Sequence, residues 1–273
     1  MQAKSQKELA YLHDLFVAPD WGERFAGLLD EHLEMPEKGQ ALYVGANTGG
    51  HALALQERAG KDLVFLGVDD NDESVELARA KAAATKAPTR FQVGQVDSLD
   101  LPNDHFDVVV GDASLVAPPR VPEMIRELVR VARPGRTVAI TLPTASSFGE
   151  FLSIYWEAIH NCGLLDQEYK VEELILQLST VADLEETGAA AGLENIKTWT
   201  QREEFAFTSA QDFMNSPLVA DFLMMGWLKV LPEEARGCVA EQLQRIIEEE
   251  RHAADFPMSI KATLVVGQKV QTQ

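Results

Sequence analysis

The residues of this chain that could do chemistry begin with a glycine-rich turn, Gly45-Ala46-Asn47-Thr48-Gly49-Gly50, set between an apolar run, ALYV, and a helical one. A strand that passes through such a turn into a helix points the open helix end at a ligand, as in nucleotide-binding βαβ units. A dinucleotide fingerprint, G-x-G-x-x-G, needs its middle glycine at position 47, because a side chain there holds the backbone off a pyrophosphate. Asn47 occupies that place. Asparagine tolerates the left-handed conformation of a tight turn but is a poor neighbour for two phosphates, so the turn suits a nucleoside presented without them. Asp69 ends the next apolar run, LVFLGVD, where a carboxylate accepts hydrogen bonds from both ribose hydroxyls; Asp70 beside it either shares that work or faces solvent. Asp97 follows a third run, RFQVGQV. An acid there can accept from an adenine amino group, with Ser98 adding a backbone or hydroxyl contact, and is otherwise a turn residue.

These residues must be positioned by strands and helices in alternation. The strand candidates ALYVG, LVFLGVD, RFQVGQV, FDVVVGD and TVAITL are short continuous apolar runs, which is how parallel strands covered on both faces read. Between them, residues 49–59 form a helix ending at Gly60, and Asn71 or Asp72 caps a helix running to about Lys86. Pro122 opens a further helix that stops at Pro134-Gly135. This rhythm predicts a doubly wound α/β sheet. Upstream, residues 7–33 read as two short amphipathic helices broken by Pro19 and Gly22. Downstream, Phe148, Phe151, Leu152, Tyr155 and Ile159 share one helix face that reads as core, and a further helical stretch runs from about Val171 to Gly192. A long strand over 193–208, about 45 residues of helical pattern and a last strand, MSIKATLVVGQ, complete the chain. The expected layout is one domain: N-terminal helices over 1–36, a cofactor-binding core over 37–142, helices and a sixth strand over 143–208, a helical insert over 209–257, and the last strand over 258–268.

Composition narrows the function classes. With 273 residues, 46% of them hydrophobic, one large core is affordable, and 43 acids against 24 bases leave a net charge of -19, which repels phosphate backbones and argues against nucleic-acid partners. The start, MQAKSQKELA, is polar, and no run reaches the roughly 18 apolar residues that span a bilayer. Cys162 and Cys238 are too few and too far apart to read as a metal site or a disulfide framework, so the expected home is a reducing cytoplasm. The six histidines, at 13, 32, 51, 105, 160 and 252, show no metal-ligand spacing and read as surface or packing residues. There is no Gly-x-Ser-x-Gly elbow, and Tyr155 is followed four residues later by Ile159, not by the lysine a short-chain dehydrogenase would carry.

One family combines these features. The order Val44-Gly45-x-Asn47-x-Gly49, Gly67-Val68-Asp69, Asp97 before Leu101-Pro102, Phe106-Asp107-Val108-Val109-Val110 and Arg130-Val131-x-x-Pro134-Gly135 resembles the class I S-adenosylmethionine-dependent methyltransferases of the type 11/25 kind, over roughly residues 40–142. The resemblance implies a seven-stranded, mostly parallel sheet with a reversed last strand, and S-adenosylmethionine as cofactor. It implies further that Gly45, Asn47 and Gly49 contact the methionine end, Asp69 the ribose, and Asp97 with Ser98 the adenine, with Asp112 a polar residue closing the fourth strand beneath the cofactor. The family usually carries an acid at the place of Tyr43, which helps hold the methionine amino group; here the residue either offers only its hydroxyl or is turned into the core.

The implied function is methyl transfer by in-line displacement, to a small-molecule or carrier-bound acyl acceptor, with the protein supplying alignment and exclusion of water. No catalytic residue is assigned, because a carboxylate or thiolate acceptor needs no general base. The insert, led by FTSAQDFM, is similar to that of biotin-pathway carrier-protein O-methyltransferases. Its Phe213, Met214, Phe222, Met224, Met225 and Trp227 are expected to form an apolar lid or the face of a homodimer. Two other readings stay open: a nicotinamide-dependent oxidoreductase, and a non-catalytic binding module of the same fold.

Overall fold

The computed structural model describes residues 4–250 and 256–271. Seven strands, β1 (Gly39–Val44), β2 (Leu63–Asp69), β3 (Arg90–Val93), β4 (Phe106–Asp112), β5 (Ala132–Pro143), β6 (Leu193–Phe207) and β7 (Phe256–Lys269), form one sheet in the order β3-β2-β1-β4-β5-β7-β6. Parallel pairing joins β3 to β2, β2 to β1, β1 to β4 and β4 to β5. β7 runs against β6: Gly192 meets Val270, Asn195 meets Gln268 and Thr200 meets Thr263, so partners fall on one strand as they rise on the other. The doubly wound, mostly parallel sheet with its reversed last strand is as expected. Order reverses at β1 and β4, whose carboxyl ends carry Val44 and Asp112; open α/β sheets bind ligands at such a switch point.

β1, β4 and the second half of β5 are buried along successive residues because helices cover them, whereas β3 and β6 keep exposed positions. The chain supplies α1 (Gln6–Leu12), α2 (Glu23–His32), α3 (Gly50–Ala59), α4 (Asp72–Thr85), α5 (Val121–Val131), α6 (Gly149–Asn161), α7 (Tyr169–Gln177), α8 (Val181–Ala190), α9 (Ala210–Asn215), α10 (Met224–Lys229) and α11 (Glu233–Glu250). Leu42, Val44 and Val109 pack with Met124, Ile125 and Leu128 of α5, whose apolar residues fall on one side of the helix. Asn71 caps α4 by accepting from the Ser74 N–H at 3.1 Å, and Gly60 ends α3 in a positive-φ conformation. α5 stops at Val131, because β5 already begins at Ala132 and carries Pro134 within it.

Pro19 and Gly22 do not break the N-terminal segment as the sequence suggests. α1 continues through a wide helical stretch, His13–Gly22, directly into α2. A wider turn accommodates a proline that a regular helix interior would reject.

Two compact units are distinguishable: Met1–Leu142 with Val181–Thr200 and Thr263–Gln273, and Pro143–Thr180 with Gln201–Ala262. In the second, the aromatic face of α6 is core as expected, and Phe151 stacks on Trp227 at 4.0 Å between ring centroids. Phe213 packs on Phe207 and Phe256, and the Tyr155 hydroxyl donates to the Trp227 carbonyl at 2.9 Å. Of the six residues expected to line a lid or dimer face, Phe213, Met224 and Trp227 are therefore committed to this unit's own interior, while Met225 is exposed. Residues 251–255 of the 209–257 insert, and His252 with them, lie outside the described residues. A second correction concerns the cysteines. Cys162, at the end of α6, is disulfide-bonded to Cys238 of α11, with 6.1 Å between their Cα atoms. A separation of 76 residues carries no spacing signal; the packing of two distant helices made the pair. Cysteine usage consequently gives no support to a reducing compartment.

Candidate functional site

The glycine turn is built as its residue types require. Gly45, Asn47 and Gly49 all have left-handed backbones, with φ of +74°, +47° and +79°. A Cβ on Gly45 would stand 2.2 Å from the carbonyl oxygen of Asp112, so glycine there lets the β1 and β4 ends close on each other. Asn47 holds its own turn by donating from its amide nitrogen to the Gly45 carbonyl at 3.0 Å.

Asp69 lies beneath this turn. Its Oδ2 accepts the Asn47 N–H at 2.7 Å and its Oδ1 accepts the Asn71 N–H at 3.0 Å. Burial pushes its carboxyl up to about 6; the two N–H donors oppose the rise, and the charges of Asp70 and Asp112 reinforce it. Each carboxylate oxygen has a further lone pair, so the acid can organise the turn and still accept from a ligand hydroxyl.

Asp70 and Asp97 are brought together by a residue absent from the sequence reading. Arg120, just ahead of α5, donates from Nε and Nη2 to the two oxygens of Asp97 at 2.7 Å each, and from Nη1 to Asp70 at 2.8 Å. This bidentate contact holds the Asp97 carboxyl below its usual range. An adenine amino group approaching Asp97 has to share that acid with Arg120. Ser98 is exposed, and its backbone N–H donates to the Gln95 carbonyl at 3.3 Å. The run Pro118-Pro119-Arg120 matches no motif, and only the fold sets it opposite the β2 and β3 ends.

Tyr43 is buried, and its hydroxyl lies 2.9 Å from Nδ1 of His51; Nε2 of that ring lies 2.9 Å from Asp30, which also pairs with Arg58. Burial first, then the nearby acids Asp112 and Asp30, drives the Tyr43 hydroxyl far above its usual range, so it stays protonated. Tyr43, His51, Gly45, Asn47, Asp112 and Ser114 line a cavity of about 90 Å³, closed on its other side by His13, Trp21 and Ala26 of the N-terminal helical segment. That segment is tied down by Asp14, which accepts from the Thr48 hydroxyl at 2.6 Å and pairs with Lys81. The sequence presents His51 as a surface or packing residue, although its place one residue into α3, directly after the glycine turn, is a signal for the site. Among the described residues no group of histidine, cysteine or acidic side chains could hold a metal.

Residues 41–135 match the family model of the methyltransferase domain. The demethylmenaquinone methyltransferase of Lactobacillus johnsonii is 28% identical over 120 residues, covering 43% of this chain and 49% of that protein. The chain thus spans about half the length of such relatives. The crystal structure of the YcgJ protein from Bacillus subtilis superposes with a TM-score of 0.61 at 17% identity, covering 92% of this chain and all of the other. Phosphoethanolamine N-methyltransferase 2 of Haemonchus contortus, solved with phosphomonomethylethanolamine and S-adenosylhomocysteine, superposes at 0.54 with 15% identity, covering 91% and 53%. Over residues 41–135 the chain is thus similar to methyltransferase domains, and its fold is that of the superposed structures.

Proposed function

We propose that this protein transfers a methyl group from S-adenosylmethionine to a small-molecule or carrier-bound acyl acceptor. The observation that carries the reading is the closure of the Gly45–Gly49 turn on Asp69, with Asn47 donating to that acid at 2.7 Å, at the switch point of the sheet. The donor set fits the cofactor: Asp69 has lone pairs for ribose hydroxyls, Asp112 offers a carboxylate in the cavity beside the turn, and Asp97 can accept from adenine once it shares Arg120. The cavity of about 90 Å³ is far below the roughly 300 Å³ at which ligand pockets begin, so the N-terminal segment held by Asp14 has to give way on binding.

When bound, the cofactor supplies a methyl group already activated on a sulfonium. The chain's residues bind and orient: Asp69 fixes the ribose, the turn's backbone sets the depth of the amino-acid end, and the N-terminal segment excludes water on reclosing. The relative named for demethylmenaquinone supports a small-molecule acceptor. A carrier-bound acyl acceptor, and association as a homodimer, rest on the reading of the insert alone.

The test is titration calorimetry with S-adenosylmethionine, followed by transfer of tritiated methyl to a panel of small aromatic and acyl acceptors. Asp69→Ala is expected to weaken cofactor binding by about 2 to 4 kcal/mol, through lost charge-assisted hydrogen bonds and loss of the group that holds the Asn47 N–H. A wild-type protein that fails to bind the cofactor overturns the reading.

A further inference from the structure

A groove of about 700 Å³ opens at the other end of the strands from the glycine turn, among the residues that begin them: Gln40 of β1, Val64 of β2, Arg90 of β3 and Phe106 of β4. Its floor follows from the register of the sheet. Gln40 stands opposite Val64, Leu42 opposite Leu66, Leu66 opposite Arg90 and Val68 opposite Gln92, so these side chains share one face. α5 covers that face farther along, over Leu42 and Val44. Beside β2 and β3 the face stays open, because residues 94–105, which join β3 to β4, form no helix to lie across it. Val64 is accordingly 38% exposed and Leu66 only partly buried. Leu101 and Pro102 wall the groove, and Arg130 fixes that wall by donating to the carbonyls of Leu99 and Leu101 at 2.9 and 2.8 Å. The volume falls within the roughly 300 to 1,000 Å³ of ligand sites.

The charges around this apolar floor run against the rest of the chain. No aspartate or glutamate lines the groove, although the chain has 43 acids and a net charge of -19. Arg90 lines it, and among the described residues its guanidinium makes no ion pair. Every other arginine of the same compact unit pairs with an acid. The β1 side is cationic as well: Asp107, which accepts the Gln40 N–H at 3.0 Å, is shared by Arg133 at 2.6 Å and Arg136 at 3.6 Å. An apolar floor flanked by cations, with the amides of Gln40 and Gln92 beside it, selects an anion that carries an apolar body. A guanidinium offers parallel N–H donors that a carboxylate accepts two at a time, whereas an alcohol meets them with one neutral oxygen. We propose that the groove binds a medium-chain aliphatic carboxylate, its chain on Val64 and Leu66 and its head on Arg90, at a site separate from the cofactor cavity.

The experiment is titration calorimetry of the full chain with decanoate, octanoate and decanol, each below the concentration at which it aggregates. Wild-type protein is expected to bind decanoate more tightly than octanoate by at least about tenfold, because two further methylenes leave water. It is expected to prefer decanoate to decanol by about three- to tenfold, the range for a carboxylate on a partly solvated guanidinium. Arg90→Gln should remove that preference and leave decanol binding unchanged. Val64→Glu, which sets an acid in the floor, should abolish decanoate binding. Saturating S-adenosylhomocysteine should leave decanoate affinity as it was. No binding of decanoate by wild-type protein, equal binding of decanol, an undiminished preference in Arg90→Gln, or displacement of decanoate by S-adenosylhomocysteine overturns the site. Should Val64→Glu not fold, Arg90→Gln, altered at an exposed side chain, decides.

Discussion

Asp69 holds the glycine turn through two backbone N–H groups, and its ionisation makes the ligand role proposed for it measurable. Its carboxyl is raised to about 6, chiefly by burial, and ribose hydroxyls would stabilise the charged form. Cofactor affinity should be flat above about pH 7 and fall below pH 6, by up to about tenfold per unit for one linked proton. Titrations with S-adenosylhomocysteine across that range check this, and Asp69→Asn should flatten the profile. His13 carries the opposite linkage for folding. Burial lowers it to about 4, Asp14 opposing and Lys81 assisting, so the native state keeps it neutral. Its folded value lies below its unfolded one; its share of stability is complete above about pH 6.5 and is lost as pH falls toward 4. Relative to His13→Leu, wild-type protein should lose about 2 kcal/mol between pH 8 and pH 5, read from denaturant unfolding at each pH. Asp69, raised in the folded state, gains stability on acidification through the same window and masks part of this in wild type alone.

At the scale of elements, the glycine turn depends on β3 and α4 as much as on its own sequence. A Cβ on Gly49 would stand 2.8 Å from both the Ala78 Cβ and the Phe91 ring, so the turn, α4 and β3 are packed as one block. The buried side chain of Gln56 closes the next connection, donating to the carbonyls of Gly60 and Leu63 at 2.6 and 2.7 Å and accepting the Phe65 N–H at 3.1 Å. α6 and α11 are joined differently, by Cys162 and Cys238. Because this bond closes a long loop, reduction should lower stability by about 2 to 4 kcal/mol. A fall in melting temperature under dithiothreitol, matched by the Cys162→Ser, Cys238→Ser double variant and absent from it on further reduction, is the expected result.

For the whole molecule, the net charge of -19 dominates long-range behaviour. The visible ion pairs are local, such as Arg120 with Asp70 and Asp97 or Arg130 with Glu127, and leave a surplus of acids that repel one another. Raising salt from about 10 to 150 mM shortens the screening length from about 30 to 8 Å, so the melting temperature should rise over that range. Thermal scans at fixed pH test it, and a falling melting temperature would show that the ion pairs outweigh the repulsion. No helix among the described residues is long and apolar enough to cross a membrane.

By itself the sequence determined what short-range chemistry can specify. The apolar runs named β1 to β5, Gly45 and Gly49 announced a tight turn in which Asn47 tolerates the left-handed conformation, Asn71 announced a helix cap, and Asp69 stood where its own strand had to end. Such features depend on neighbours within a few residues, and their pattern survives in one dimension. Only the tertiary structure decided the rest, because each remaining contact joins residues that no period relates. Arg120 reaches Asp70 and Asp97 across three strand ends, His51 links Tyr43 to Asp30, and Cys162 meets Cys238 between two helices. Pro19, a breaker by its own chemistry, lies inside a continuous helical segment because a wide turn accommodates it and Asp14 ties that segment to Thr48 and Lys81.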